Sequence, residues 1–436
     1  MKSEKISKVL RVIAGLVTGT VFLLMFSGTA SVFAGFAKTQ AVPALLAAAG
    51  VFAAGGIAAL AVILISAAVA GRFYCAAFCP LGLLQDATAF LIRRKSAKVK
   101  DFYILRYFCT AFAAGMFIAG SNLGFRLLDP YSNAGRILFP FTAGGVTALV
   151  VILVLAVWKK RIFCTAVCPA GTLLGVIAKF SLFRLGITDK CIFCGKCVRS
   201  CPAGCIDLES RTIDNERCIR CMDCIAGCPA GSIKWERPGM PDIPRRRFLI
   251  SGTVLIAGIA AGAALAGSGL LKTARKLRIL PPGAGDPERF AAKCTSCMLC
   301  AANCPQKIIV PSSGGLGAVE LDLSRGACSY NCARCSNICP AGALKKLTLA
   351  EKRRRKIAEA KFDPRNCIAF QDGEKCGKCA AACPTGAVIL RKNGTPRPVK
   401  TALCIGCGAC QKVCPAEKKA MRVYPVEKQS KLQEMV

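Results

Sequence analysis

The run C-x2-C-x2-C-x3-C-P occurs twice between Cys191 and Cys228, as CIFCGKCVRSCP and CIRCMDCIAGCP. This spacing is the bacterial signature of paired cubane iron–sulfur clusters: three cysteines of a run wrap one cluster and the fourth crosses to the other. Cys191, Cys194, Cys197 and Cys228 are therefore expected on one [4Fe-4S] cluster, and Cys218, Cys221, Cys224 and Cys201 on the second. The proline after each fourth cysteine turns the chain away and supplies no N–H. Zinc would need only two C-x2-C pairs and no trailing C-P. The chain has 30 cysteines in 436 residues, most in such tight groups, which suits metal ligation better than disulfides. Histidine is absent. That excludes Rieske ligation, C-x-x-C-H attachment and bis-histidine haem, so no haem is expected.

Five stretches carry no charge for long enough to cross a bilayer, which takes ~20 residues. They are Val12–Ala37, Thr39–Gly71, Tyr107–Phe125, Ile137–Trp158 and Phe248–Leu271. Lys2, Lys5, Lys8 and Arg11 precede the first, which reads as an anchor and not as a cleaved signal. Basic loops follow the second and fourth stretches (Arg72, Arg93, Arg94, Lys95, Lys98 and Lys100, then Lys159, Lys160 and Arg161), while those after the first and third are lean. The positive-inside rule then places the N-terminus, the 72–106 loop and the segment after Trp158 in the cytoplasm.

A repeat sits on that face. GRFYCAAFCPLGLL at Gly71–Leu84 matches KRIFCTAVCPAGTLL at Lys160–Leu174, so the first four spans read as a duplicated two-helix unit. If helical, Cys75/Cys79 and Cys164/Cys168 each share a face at i, i+4. The four cysteines are a candidate additional metal site, with dithiols, a partner contact or plain buried packing as the other readings. Arg72 and Asp86 beside them are candidates for a quinone head group, though Arg72 equally reads as a topology signal. Cys109 reads as packing, and Cys205 is left over without a role.

Arg245, Arg246, Arg247, Phe248 and Leu249 open the fifth apolar stretch as a basic flank, which places the C-terminal residues outside. From Pro281 come four more quartets, each ending in C-P. Cys294, Cys297, Cys300 and Cys304, and likewise Cys404, Cys407, Cys410 and Cys414, keep the regular spacing. Cys328, Cys332, Cys335 and Cys339 open with x3, and Cys367, Cys376, Cys379 and Cys383 with x8. Short apolar runs such as Ala387–Leu390 and the turn signal Asn393-Gly394 fit small two-stranded units around cluster loops. The basic block at Glu351–Lys356 reads as helical, either a solvated face or a docking patch for an acidic partner.

The net charge of +36 would suggest nucleic acid as a partner. Six clusters at roughly −2 each would cancel about a third of it. Many remaining basic residues flank apolar spans, so nucleic acid is not expected.

Two C-x3-C-P motifs on a four-span core followed by a dicluster segment, over roughly residues 1–237, resemble the membrane subunit of the periplasmic nitrate reductase quinol dehydrogenase. The nitrous-oxide-reductase regulator and methylamine-utilisation families share this core. The regulators' flavin-binding domain is not expected here, because the first apolar stretch begins almost at Met1. The residues from Arg245 resemble the twin-arginine export motif, with Pro244 and Ile250 as departures, and the four later quartets resemble the four-cluster ferredoxin subunit of the same system. That resemblance implies exchange between outer and between inner quartets: Cys414 with Cys294, Cys297 and Cys300, and Cys339 with Cys367, Cys376 and Cys379.

The expected architecture is a membrane α-helical bundle of four spans plus a fifth, with α+β ferredoxin-like domains. Residues 1–180 would form the membrane core, 181–240 the dicluster domain, 244–272 the twin-arginine-like span and 281–436 the four-cluster domain. The expected function is electron transfer from the quinol pool, through six [4Fe-4S] clusters, to a terminal reductase or cytochrome subunit. This makes the chain a quinol-dehydrogenase-type component of an oxidoreductase system in the bacterial inner membrane, contacting lipid. Its N-terminus and dicluster domain would be cytoplasmic and its C-terminal domain periplasmic. The alternatives are a redox-sensing regulatory or maturation protein, and an all-cytoplasmic polyferredoxin.

Overall fold

The computed structural model describes residues 2–27, 35–51, 54–92, 99–138, 143–237, 244–268, 278–312, 317–373, 375–392 and 394–432. The N-terminal half is helical: α1 (Lys2–Phe26), α2 (Ala41–Val51), α3 (Ala54–Ala70), α4 (Phe73–Ala77), α5 (Pro80–Leu91), α6 (Tyr103–Ile118), α7 (Leu123–Leu128), α8 (Pro130–Leu138), α9 (Ala143–Trp158) and, after a π-helical turn at Phe163–Val167, α10 (Pro169–Lys179). A long helix, α11 (Arg245–Gly267), follows the dicluster segment.

The five expected spans are not borne out. Among the described residues only Lys8–Phe26 and Arg245–Gly267 are long and apolar enough to cross a membrane. The other apolar stretches break into pieces too short for a bilayer core about 30 Å thick. Thr39–Gly71 divides into α2 and α3, which fold back on one another with Gly56 against Ala47. Tyr107–Phe125 is interrupted at Gly120, whose φ of 84° ends the helix before α7 begins. Ile137–Trp158 is shared between α8 and the 16-residue α9. Lack of charge marked these stretches as buried or apolar, but not as continuous.

α11 lies parallel against α6. Gly258 and Gly262 meet Ala111 and the Phe112 carbonyl, and Gly115 meets the Ile259 carbonyl. These small residues at four-residue spacing let the two backbones approach closely. An ion network anchors the start of both helices: Arg247 to Asp101 at 2.8 Å, and Arg106 to buried Glu216 at 2.6 Å.

Among the described residues the cysteine-rich parts combine short helices with four two-stranded antiparallel sheets: β1 (Arg184–Ile187) with β4 (Ile233–Glu236), β2 (Ile206–Asp207) with β3 (Thr212–Ile213), β5 (Ile309–Pro311) with β6 (Val319–Leu321), and β7 (Arg355–Phe362) with β8 (Met421–Lys431). The two cysteine-rich parts dock on opposite ends of α1. Near its start Lys8 pairs with Asp223 at 2.8 Å; near its end the Met25 carbonyl accepts from Asn303 at 2.9 Å.

Candidate iron–sulfur centres

In each regular C-x2-C-x2-C loop two residues take left-handed backbone. They are Phe193 and Gly195, Arg220 and Met222, Ser296 and Met298, and Gly406 and Gly408. Such a conformation costs a side-chain-bearing residue about 1 kcal/mol. It is tolerated here because the resulting curl turns successive N–H groups inward, making a concavity suited to an anionic group. In the x8 quartet Gly377, directly after Cys376, does the same with φ 105°.

Among the described residues five cavities are lined by cysteines, four of them by four each and one by five. Cys201, Cys218, Cys221 and Cys224 line one together, as the dicluster signature predicts. In the C-terminal half the fourth cysteine always comes from the adjacent quartet. Cys339 completes Cys294, Cys297 and Cys300, and Cys304 completes Cys328, Cys332 and Cys335. Cys414 completes Cys367, Cys376 and Cys379, and Cys383 completes Cys404, Cys407 and Cys410. This corrects the outer-with-outer, inner-with-inner exchange. The reason is local chain reversal: β5–β6 lies between Cys304 and Cys328, and the Leu390–Pro396 bridge between Cys383 and Cys404, so neighbouring runs fold back on each other. Short loops close at least entropic cost. Gly394, at φ 82°, turns the second of these hairpins; Asn393 lies outside the described residues. For the remaining dicluster set, Cys197 neighbours Cys191 and Cys194, and the Thr188–Ser232 hydrogen bond beyond β1–β4 brings the Cys191 loop beside that of Cys228.

The donor sets fit cubanes. Each of these enclosed spaces has at least four cysteines on its walls, the number that a cubane's irons need. Burial and neighbouring sulfurs push Cys297 and Cys410 up to about 12, and Cys328 and Cys379 up to about 11. Four thiolates together therefore need a cationic iron core to form.

Cys205, given no role from sequence, lies 3.6 Å from Cys201 Sγ and lines the same cavity. Its thiol hydrogen-bonds toward Cys201 and Cys218 and holds both below the ordinary thiol value, against the effect of burial. The signal available in sequence was a fifth cysteine four residues after Cys201.

The C-x3-C-P cysteines do not share one helix. Each proline starts a new helix, leaving Cys79 and Cys168 as the N-caps of α5 and α10, with Cys75 in α4 and Cys164 in the π-turn. The two repeats nevertheless bring all four thiols together in the buried core. A local pseudo-dyad relates them. Arg72 donates to the Cys164 carbonyl at 2.8 Å and Arg161, its counterpart, to the Cys75 carbonyl at 2.7 Å. Gly82 and Gly171 are counterparts too: a Cβ at either would run into the other motif's arginine and the cysteine carbonyl of its own motif.

Neither residue suggested for a quinone is free. Arg72 is fully buried and also donates to the Glu216 carbonyl at 3.1 Å, and Asp86 pairs with Arg161 at 2.7 Å. The basic block at 351–356 is not one helix; the chain passes from Leu349–Arg353 into β7, and Lys352 is buried against the Ser329 and Tyr330 carbonyls. Of the residues opening α11, Arg247 is the one tied into the Asp101–Glu216 network. Cys109 is partly buried on α6.

Family profiles for a 4Fe-4S binding domain match residues 52–98 and 141–188, the two C-x3-C-P units, and residues 291–307. Profiles for a 4Fe-4S dicluster domain match 190–239, 327–387 and 373–420. The ferredoxin-type protein NapG of Escherichia coli (strain K12) is 31% identical over 207 residues, 44% of this chain and 89% of that protein. The chain belongs to this ferredoxin-type family. The methylamine utilization ferredoxin-type protein MauM of Methylobacillus flagellatus is 30% identical over 203 residues, 42% of this chain and 85% of that protein. Escherichia coli ferredoxin-type protein NapF is 32% identical over 141 residues, 31% of this chain and 80% of that protein. No solved structure matches. The chain is thus a ferredoxin-type electron-transfer protein with several [4Fe-4S] domains. One profile takes the second and third quartets together over 327–387, whereas in the fold each exchanges with its other neighbour.

Proposed function

We propose that this chain carries electrons from membrane quinol to a terminal reductase of the nitrate-reductase type, through six [4Fe-4S] clusters divided between the two ends of α1. The cysteines that would hold them are the six quartets beginning at Cys191, Cys218, Cys294, Cys328, Cys367 and Cys404, with fourth ligands exchanged between neighbours. Bound cubanes would supply one-electron storage and transfer. The chain's residues shield them: buried walls exclude water, and inward N–H groups and the Cys205 thiol offset ligand charge.

The observation that carries the proposal is the separation of the two cysteine-rich parts along α1. From Lys8, beside Asp223, to Met25, beside Asn303, the helix rises roughly 26 Å. Leu16, Val17 and Leu23 on α1, and Phe248, Leu249 and Ile256 on α11, are exposed apolar side chains that suit lipid. On this reading α1 and α11 anchor the chain in the cell membrane. The basic start of α1 and the dicluster segment face the cytoplasm, and the C-terminal quartets face outward.

The test is reduction of the clusters in isolated membranes by a quinol analogue, read by EPR. Reduction within the turnover time of the respiratory chain is expected; clusters that only dithionite reduces would sink the quinol reading. A phosphatase fused after Val436 is expected to be active, and an inactive fusion places the C-terminal half inside.

A further inference from the structure

We propose that Cys75, Cys79, Cys164 and Cys168 together hold one further iron–sulfur cluster, which relays electrons between the dicluster segment and the C-terminal quartets. The relay role rests on the electron-transfer reading above; the ligand set does not.

Three observations carry the ligand set. All four sulfurs are buried, at 3–5% exposure, and none is in a disulfide. Dithiol exchange needs a partner to reach the sulfur, and these offer no such access. Donors also converge on them. Gln85 Nε2 donates to Cys164 Sγ at 3.1 Å and the Gly171 N–H to Cys168 Sγ at 3.3 Å, with Arg72 Nη2 4.0 Å from Cys75 Sγ. Sulfurs addressed this way are acceptors, as metal-bound thiolates are.

Charge balance is the third observation. Arg161 has Asp86 as its carboxylate, but Arg72 is fully buried with no carboxylate among the described residues, and its Nε has no partner. A buried cation without a counter-charge is costly. Four thiolates around an iron–sulfur core carry net negative charge and supply it. The pseudo-dyad ties the two pairs of ligands together through matched arginine-to-carbonyl bonds, an arrangement that a single shared cluster uses and two separate dithiols would not require.

Position makes the site a relay. Cys75 and Cys221 belong to one buried cluster with Ile63, Ala67, Leu174 and Ile219. Cys79 and Cys168 belong to another that includes Ala341, two residues beyond Cys339. The four sulfurs thus lie between the Cys201/Cys218/Cys221/Cys224 cavity and the Cys294/Cys297/Cys300/Cys339 cavity. The C-terminal part is seated there by Arg126 and Asn122, which donate to the Cys294 carbonyl at 2.7 and 3.1 Å. Each transfer moves one electron, oxidising the donor centre and reducing the acceptor, with no bond made or broken.

The test uses the full chain, purified anaerobically as wild type and as Cys75→Ser/Cys164→Ser. Iron, acid-labile sulfide and spin integration of the dithionite-reduced protein count the clusters. Wild type is expected to exceed the roughly 24 Fe of six cubanes by the irons of one more cluster, and the double variant to lose that excess while keeping the other signals. Iron for six clusters in wild type, or equal iron in both proteins, overturns the ligand set; if the variant does not accumulate, the wild-type count alone decides. For the relay, sealed vesicles receive a membrane-impermeant reductant on the dicluster side, and reduction of the C-terminal clusters is followed. Wild type is expected to transmit and the variant to lose transmission. Transmission at the wild-type rate by a variant with six clusters overturns the relay. No transmission in wild type overturns the electron path and the relay with it, while the iron count still judges the ligand set.

Discussion

In the dicluster segment three sulfurs of each set come from one tight loop, and strands β1 and β4 close the segment like a clasp. The second pair of C-terminal quartets repeats this plan, with β7 and β8 as the clasp around Cys367–Cys414. The C-x3-C-P site is built the other way. Each loop supplies only two sulfurs, and the set is complete only when two repeats, separated by helices, meet across a pseudo-dyad. The first kind of site is assembled by local backbone curl. The second depends on helix packing, buried arginines and two glycines that leave room for them.

Removing a ligand should break this comparison most visibly. Cys339→Ser is expected to cost about 4 Fe per chain, taking the centre shared with Cys294, Cys297 and Cys300. Adding Cys297→Ser should then remove little more iron, whereas adding Cys379→Ser should remove a further centre. The opposite pattern in iron content would restore the inner-quartet exchange.

Arg161→Met tests the packed site. It leaves the Asp86 carboxylate, which is 27% exposed, with Arg11 at 4.0 Å as its remaining ion-pair partner among the described residues, and removes the cross-motif bond to Cys75. A loss of about 2–3 kcal/mol is expected, seen as a lower thermal unfolding temperature in detergent, with the spectra of the dicluster segment unchanged below the transition.

Smaller changes sharpen the same contrast. Gly82→Ala and Gly171→Ala each place a methyl against an arginine and a backbone carbonyl, and should each destabilise by about 1–3 kcal/mol. Gly231→Ala, in the dicluster segment, meets no neighbour and carries only the strain of φ 57°, about 1 kcal/mol. Unequal effects at Gly82 and Gly171 in thermal unfolding would show that the dyad is not energetic.

The smallest effect concerns Cys205. Replacing its thiol in Cys205→Ala removes a weak hydrogen bond from Cys201 and Cys218. The reduced cluster carries more negative charge than the oxidised one, so the reduction potential should fall, by on the order of 30 mV. Redox titration followed by EPR measures it; an unchanged potential would make Cys205 a packing residue.

Cysteine spacing by itself determined the chemistry and the ferredoxin-like character of both cysteine-rich parts, because a C-x2-C-x2-C loop dictates its own curl. The repeat at Gly71 and Lys160 was equally legible, and it announced the pseudo-dyad without saying that four sulfurs would meet. Lack of charge was a poor guide to span length: the breaks at Gly120 and between α2 and α3 are backbone events inside apolar runs, and composition does not register them. Exchange among the C-terminal quartets was also beyond the sequence, since four similar runs allow several pairings and short hairpins select one. What only the tertiary structure decided is which separated residues became neighbours: Arg72 with the Cys164 turn, Cys75 with Cys221, Asn303 with the end of α1. Such contacts follow from the packing of whole helices, in which no local stretch carries enough information to name its partner.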